Sequence, residues 1–478
     1  MKRILAMFMV ILMVTLAAGC NKNNDANKEE IPTLTWYVPS DDQPDKEAVM
    51  TEVNKILKEK IGAKLDLQFV DYGAYDTRMQ TMMASGTAFD LCFTGYMNDY
   101  NAAATKGGLL DITDLIDKEA PKLRELIPDW YLKSAEINGR IYAVPNVQVV
   151  SNPNAIWIYD HVAERTSFEF PEPLKKISIT DMEPFMEEVK GLNEEIYNFV
   201  NTKSFYCDKY EVIQSNVAIR KDGSSTEAFL IYETPEWQEG IEKIHEWYKK
   251  GYIRPDIATA DTSMDESLGK VAISSDSWKP GSEINIKNAY GFSAKAYFLC
   301  DPYVTCDNPT KTMIGIGKGS KNPEKAIKLI ELMNSDKELY NLICFGIKDK
   351  HYTMTEDGKC KLIENSGYYP NHQWKYGNQF NAFVLDGMDI DVYEQTEKMN
   401  NEAIKSPLLG FTVDRASISN EIAQVSSIMG EYPSIDKGFD DPKNYIEEYK
   451  RRLEEAGQRK ILEEVQRQID EFIAANKE

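Results

Sequence analysis

The chain of 478 residues carries 77 acidic against 55 basic side chains, a net charge of −22. That balance argues against a nucleic-acid or anionic-lipid partner and is most simply a soluble exterior surface. A hydrophobic share of 42% and an aromatic share of 11% permit well-formed cores, and the length suffices for two or three domains.

Met1-Lys2-Arg3, an apolar run from Ile4 to Leu16, and Ala17-Ala18-Gly19-Cys20 read as a secretory signal peptide over residues 1–19. The run falls short of the roughly 20 apolar residues that span a bilayer. Cysteine directly after Ala-Ala-Gly resembles a bacterial lipobox, with Ala17 where Leu or Val is commoner. The resemblance implies cleavage before Cys20 and lipidation of its thiol. Two or more acyl chains attach a protein stably to a bilayer, so Cys20 is the expected membrane anchor. Residues 21–30 hold one Ala and nothing else apolar, so 20–32 is expected to be a flexible leash. The expected location is the outer face of the cytoplasmic membrane, as in a Gram-positive bacterium.

Leu34-Thr35-Trp36-Tyr37-Val38 has strand composition and stops at Pro39-Ser40-Asp41-Asp42. Val49, Val53, Ile56, Leu57 and Ile61 predict a helix from about Asp45, ended by Gly62. Leu65, Leu67 and Phe69 alternate as in a strand, a helix follows from about Ala74 to Ser85, and Asp90–Phe93 is a short buried strand. This β-α-β-α-β rhythm belongs to a parallel sheet covered by helices. Short helices are expected over Thr113–Asp117 and Ala120–Glu136, and Asn138-Gly139 is a hairpin turn signal. A helix near Asp181–Val200, strands around Phe205 and over Val212–Ile219, and a helix over Pro235–Lys250 with Gly251 as its stop come next. Gly269–Ile273 reads as a buried strand, Asn322-Pro323 opens a helix, and two helices close the chain.

Several apparent chemical signals fail on inspection. Gly315-Ile316-Gly317-Lys318-Gly319 lacks the ending of a phosphate loop and reads as a strand end, a hinge and a helix start. The histidines at 161, 245, 351 and 372 form no HExxH, so a metal site has no support and no cofactor is expected. No GxSxG elbow occurs, and Ser267-Leu268-Gly269-Lys270 matches SxxK without its companion motifs. Nothing singles out a pair of carboxylates for glycoside hydrolysis. Outside Cys20 the cysteines show no CxxC spacing; Cys300 and Cys306 are the close pair, and free buried thiols are at least as consistent as a bridge.

Met83–Leu91, with its Ala-Ser-Gly and Asp90, resembles the helix-to-strand passage of carbohydrate-binding proteins of ABC importers. Ile137–Pro145 resembles their Asn-Gly hairpin, and Gly269–Ile273 and Gly319–Ala326 match two later landmarks. Phe345–Tyr352, Leu409-Gly410-Phe411 and Gly457–Asp470 resemble the C-terminal domain (DUF3502 type) of a lipoprotein subgroup. The resemblance implies an α/β, two-lobed periplasmic-binding-protein-like (type II) fold with a hinge, plus an extra C-terminal helical segment. Crossings near Val147, Ser274 and Lys318 would give one lobe from 33–146 and 274–318. The other would hold 147–273 and 319–478, with the family-specific region at about 405–478. The implied activity is capture of an oligosaccharide between the lobes and delivery to ABC permease subunits, with no chemistry done on it.

The loops beyond the C-terminal strand ends are where an open α/β sheet holds ligands. Asp41 and Asp42 on the first of them have carboxylates for sugar hydroxyls, or for capping the following helix. Tyr96 follows the strand ending at Phe93; Trp36 and Trp157 lie within strands, where such residues are more often core, but Trp36 is still a candidate because it lies beside the cleft-side end of its strand. Trp278, near the second crossing, and Trp374, in a polar aromatic loop, have faces suited to a sugar ring. Arg78, Arg140 and Arg220 are candidates for a uronate carboxylate. Two other readings remain at this level: a surface glycan hydrolase or lyase, and a peptide- or signal-binding lipoprotein of the same fold.

Overall fold

The computed structural model describes residues 31–476; the expected signal peptide, Cys20 and most of the expected leash lie outside them. The first sheet has the strand order Lys64–Val70, Thr33–Pro39, Leu91–Gly95, Thr312–Ile316, Ala143–Pro145. Its first three strands are parallel, with Trp36 opposite both Leu67 and Leu91. Thr312–Ile316 returns antiparallel, pairing Thr312 with Gly95 and Ile314 with Val144. The helices between the parallel strands form where the periodicity places them. Lys46–Lys60 buries Val49, Val53 and Leu57, and Tyr72–Ser85 ends on Gly86 in a left-handed cap at φ 68°.

The second sheet runs Ala294–Phe298, Asn154–Tyr159, Val271–Ser277, Tyr197–Asn198. Asn154–Tyr159 is its centre, antiparallel to both neighbours, and its Trp157 is buried. The helix Pro235–Lys250 packs Trp237, Ile241, Ile244 and Trp247 inward and stops at Gly251, also left-handed. Beside this sheet lies a separate core. Tyr210, Val217, Ile219 and Trp237 meet Leu408, Val425, Leu453, Ile461, Val465 and Ile469 from the last two helices and their neighbours. The C-terminal region is therefore structural substance of the second lobe.

Two expected lobe boundaries do not hold. Ser274 is not a crossing: it sits inside a second-sheet strand opposite Trp157, and the chain stays in that sheet through Phe298. Lys318 is not one either. Gly317 N donates to the Asp90 carbonyl oxygen (3.0 Å) and Ser320 Oγ to Asp90 Oδ1 (2.6 Å), which holds the segment on the first lobe. Ala326, Ile330, Leu339, Ile343 and Phe345 then bury themselves in the first lobe's core together with Trp36, Val53 and Phe93. Polypeptide passes between the sheets at residues 146–153, 299–311 and 403–411. The first includes Val147.

The crossings are bonded to one another. The buried Asn400 accepts at Oδ1 from Val150 N (3.0 Å) and from Ser151 N and Oγ (both 3.3 Å), while its Nδ2 donates to the Gln148 carbonyl oxygen at 2.7 Å. Asn308 Nδ2 donates to the Val150 carbonyl oxygen at 2.6 Å, linking the second crossing to the first. Tyr303–Val304 pairs in parallel with Ile404–Lys405, linking the second to the third. Glu211, a buried carboxylate, accepts from Tyr303 Oη (2.8 Å) and Cys306 N (2.6 Å) and so fastens the second crossing to the second lobe.

Local departures from expectation have local causes. Phe205 lies in the short helix Lys203–Tyr206, not in a strand, and its ring packs on Gly240 and Trp247. The helix expected to reach Val200 stops at Gly191. The Asn138-Gly139 hairpin forms, with φ of 52° and 72° at the two turn residues.

Candidate functional site

Pro39 and Gly95 end adjacent parallel strands of the first sheet, so the residues after them share one rim. Tyr96 stands there with about half its surface exposed (54%). Its neighbour comes from far along the chain: the half-buried Trp374 has its ring centroid 6.1 Å from that of Tyr96 and 5.8 Å from that of Phe93. His372 lies 5.4 Å from Trp374 and 6.0 Å from Tyr72, the first residue of the helix after the Lys64–Val70 strand. Tyr72, His372, Trp374 and Tyr96 thus form a continuous aromatic surface with Phe93 beneath it.

The loop carrying Trp374 is fastened at each residue. Tyr340 Oη donates to the Gln373 carbonyl oxygen (2.7 Å), and Asn146 Nδ2 donates to the Trp374 carbonyl oxygen (2.9 Å). Lys375, fully buried, donates from Nζ to the Pro39 carbonyl oxygen (2.7 Å) and to Tyr72 Oη (3.1 Å). Its burial lowers its pKa to about 8. Burial likewise pushes Tyr72 up to about 12. His372 is pulled down, first by partial desolvation and then by the charges of Lys375 and of Lys279 from the second lobe. The opposite Tyr96 edge depends on Gly95. At φ 128° it lets the backbone run against residues 310 and 311, where a Cβ would lie 2.2 Å from the Lys311 carbonyl oxygen.

The six sequence candidates divide. Tyr96 and Trp374 come together in one surface. Asp41 and Asp42 are exposed beyond Pro39, and neither caps the next helix. Asp45 does not cap it with its side chain either, because that carboxylate is held by His351 and Lys350. Trp278 is half-buried on the second lobe, its Nε1 donating to Glu283 Oε1 (2.7 Å) and its ring 5.2 Å from Phe298. Trp36 is corrected. It is 1% exposed and closed off by the edge of Tyr376 at 5.8 Å, so it is core and offers no face to a ligand. Of the three arginines, Arg140 stands near Asp111 and Asp114, and Arg78 lies over the Tyr37 ring.

Sequence reasoning missed Tyr72, His372 and Lys375. Tyr72 obeys the same strand-end rule that selected Tyr96. His372 and Lys375 flank Trp374, but nothing local says that their loop reaches the first sheet. Among the described residues no cluster of His, Cys, Asp and Glu suits a metal ion, and no helix is long and apolar enough to cross a membrane.

A family profile described as bacterial extracellular solute-binding protein matches residues 53–343, and the domain of unknown function DUF3502 matches 407–474. A carbohydrate ABC transporter substrate-binding protein of Streptococcus pneumoniae serotype 4 is 28% identical, with 97% of each chain covered. The crystal structure of the N-glycan transport solute binding protein NgtS from Streptococcus pneumoniae superposes with a TM-score of 0.80 at 25% identity, covering 94% of this chain and 100% of that one. Its complex with Man5GlcNAc superposes at 0.65 with the same identity and coverage. The solute-binding profile spans more than half of the sequence and falls across both sheets described above, so the chain belongs to the family of bacterial extracellular solute-binding proteins.

Proposed function

We propose that the protein captures an oligosaccharide between its two lobes and delivers it unaltered to an ABC importer. The observation that carries this reading is the surface of Tyr72, His372, Trp374 and Tyr96 on the rim of the first lobe. Aromatic faces match the CH face of a pyranose, while Asp41 and Asp42 beside them are carboxylates without side-chain partners among the described residues, free to accept from hydroxyls. Trp278 and Lys279 contribute from the second lobe.

The bonded crossings supply the hinge: backbone change is concentrated where three segments leave rigid sheets. The NgtS pair supports this, since the same relative superposes at 0.80 in the structure named without a glycan and at 0.65 with Man5GlcNAc. A ligand that binds only the closed arrangement shifts the population toward it, which a permease can sense. Cys20, acylated after signal cleavage, would hold the protein at the outer face of the membrane beside its permease subunits.

The test is a thermal-shift and calorimetry series with N-glycan fragments of the Man5GlcNAc type, other neutral oligosaccharides, and peptides. At a hundredfold excess over Kd the correct ligand raises stability by about 2.7 kcal/mol. Stabilisation by peptides alone, or release of reducing sugar from the bound glycan, would overturn the proposal. Anchoring is tested separately: Cys20→Ser should move the protein from the membrane fraction to the medium.

A further inference from the structure

Where the first two crossings meet the second sheet lies a cavity of about 370 Å³, within the range of roughly 300–1,000 Å³ typical of small-molecule sites. The first crossing contributes Asn152, the second Asn308, and the second lobe Asn154, Ser277, Lys203 and Lys221. Two of the lining residues are lysines and none is acidic, in a chain with 77 acidic against 55 basic side chains.

Neither ammonium group is neutralised. Lys203 is exposed, with no partner for its Nζ among the described residues. Lys221 Nζ donates to the Cys207 carbonyl oxygen (2.6 Å) and lies 4.5 Å from the centre of the Tyr303 ring, again with no carboxylate partner among the described residues. The carboxylates on neighbouring segments are engaged elsewhere. Asp208 and Asp301 pair with Lys176, Asp307 pairs with Lys311, and Glu211 accepts from Tyr303 and Cys306. The cavity lined by Arg220 differs. There the guanidinium lies over the Tyr210 and Phe229 rings, but Glu227 and Glu233 share the lining and oppose an anion.

We propose that the lysine-lined cavity is the subsite for an anionic substituent of the glycan, a carboxylate or a phosphate ester held between Lys203 and Lys221. The strand Val271–Ser277 ends at this cavity, and the next residue is Trp278. Trp278 N donates to the Pro153 carbonyl oxygen (2.9 Å), between the lining residues Asn152 and Asn154. A sugar held on Trp278 thus sits at the same strand end as the two lysines. Hydrogen bonds between ionised partners are roughly twice as strong as neutral ones, and a cleft lined by one sign of charge focuses its field on the occupant. An anion there neutralises two charges that the protein leaves unpaired. It also touches both crossings and the second lobe together, so its binding favours one setting of the hinge. The site rests on the glycan reading above and adds a charge to it.

Calorimetry on the full-length chain compares three forms of one probe: a Man5GlcNAc fragment, the same fragment with its terminal mannoses oxidised to uronates, and the same fragment phosphorylated on those mannoses. At least one acidic form should bind about tenfold tighter than the neutral one. Preference for the uronate alone identifies a carboxylate site, and for the phosphate alone a phosphate-ester site. Expressed as a ratio of affinities, so that a general weakening cancels, the preference should vanish in Lys203→Met and in Lys221→Met. Lys221 also braces the Cys207 backbone, so Lys203→Met decides if the other variant does not fold. Equal affinity for neutral and acidic forms, or an undiminished preference in Lys203→Met, overturns the site while the glycan reading stands. No binding of any form sinks the glycan reading and the site with it.

Discussion

Asn146, the first residue beyond the first lobe's edge strand, donates its side-chain amide to the carbonyl oxygen of Trp374, 228 positions away. Its own N–H is bonded to the Thr312 carbonyl oxygen at 2.9 Å. The aromatic surface and the start of the first crossing are thus one mechanical unit. Asn146→Ala removes this tie and frees the Trp374 loop to sample other positions. We expect glycan affinity to fall about five- to tenfold, the equivalent of roughly one hydrogen bond, with a small change in melting temperature. Calorimetric titration checks it, and unchanged affinity would separate Asn146 from the site.

Trp36 and Trp374 should respond oppositely to truncation. Trp374→Ala deletes half-exposed stacking surface, costing on the order of 2 kcal/mol of binding, or about thirtyfold in Kd, while the fold persists. Trp36→Ala opens a cavity against Tyr376 and should cost about 3–5 kcal/mol of stability. Denaturant unfolding and titration of the two variants side by side make the comparison. Loss of binding in a fully stable Trp36→Ala protein would contradict its placement in the core.

Lys375 gives a pH dependence of definite sign. Its folded pKa of about 8 lies below the ordinary 10.5, so the folded state releases the proton first as pH rises. Below pH 8 both states are charged and the full cost of burying the ammonium is present. Between about pH 8 and 10.5 the unfolded chain holds the extra proton, and stability gained from this group rises by up to about 1.4 kcal/mol per pH unit. The measurement is the difference in unfolding free energy between wild type and Lys375→Met across that window, which removes contributions from the tyrosines. A flat difference would refute the assignment.

Asn400 satisfies the backbone N–H groups of Val150 and Ser151, which are otherwise sealed from water, and adds a bond to the Gln148 carbonyl oxygen. Asn400→Leu strands two backbone N–H donors and the Ser151 hydroxyl at once, while the Gln148 carbonyl oxygen keeps Tyr131 Oη, and should destabilise by about 2–4 kcal/mol. Because the affected segment is a crossing, the change in lobe separation on adding glycan, followed by paired fluorescent labels, should also lose definition. A variant with wild-type stability would show that these groups find other partners.

Periodic helices and the opening β-α-β-α-β unit could be read directly from residue spacing, because each depends on contacts within about twenty positions. Val49, Val53 and Leu57 announce their helix, and Gly86 and Gly251 mark helix ends, whatever the rest of the chain does. Lobe membership was different. Lys318 looks like a hinge because glycines surround it, but Asp90 holds that segment through bonds 227 and 230 positions long. Trp36 and Trp374 show the same limit within the site. Alternation places Trp36 on a sheet face without saying that Tyr376 covers that face. No local pattern announces that Trp374 arrives beside Tyr96.

The packing of Val465 and Ile469 against Val217 and Trp237 has a consequence for how this polypeptide matures. One core of the second lobe stays unsealed until the helix Gln458–Ala475 has been delivered. A chain that threads a membrane in extended form gains from that delay, since the second half of the clamp is not complete before passage is. The final helix acts as the closing wedge of the molecule.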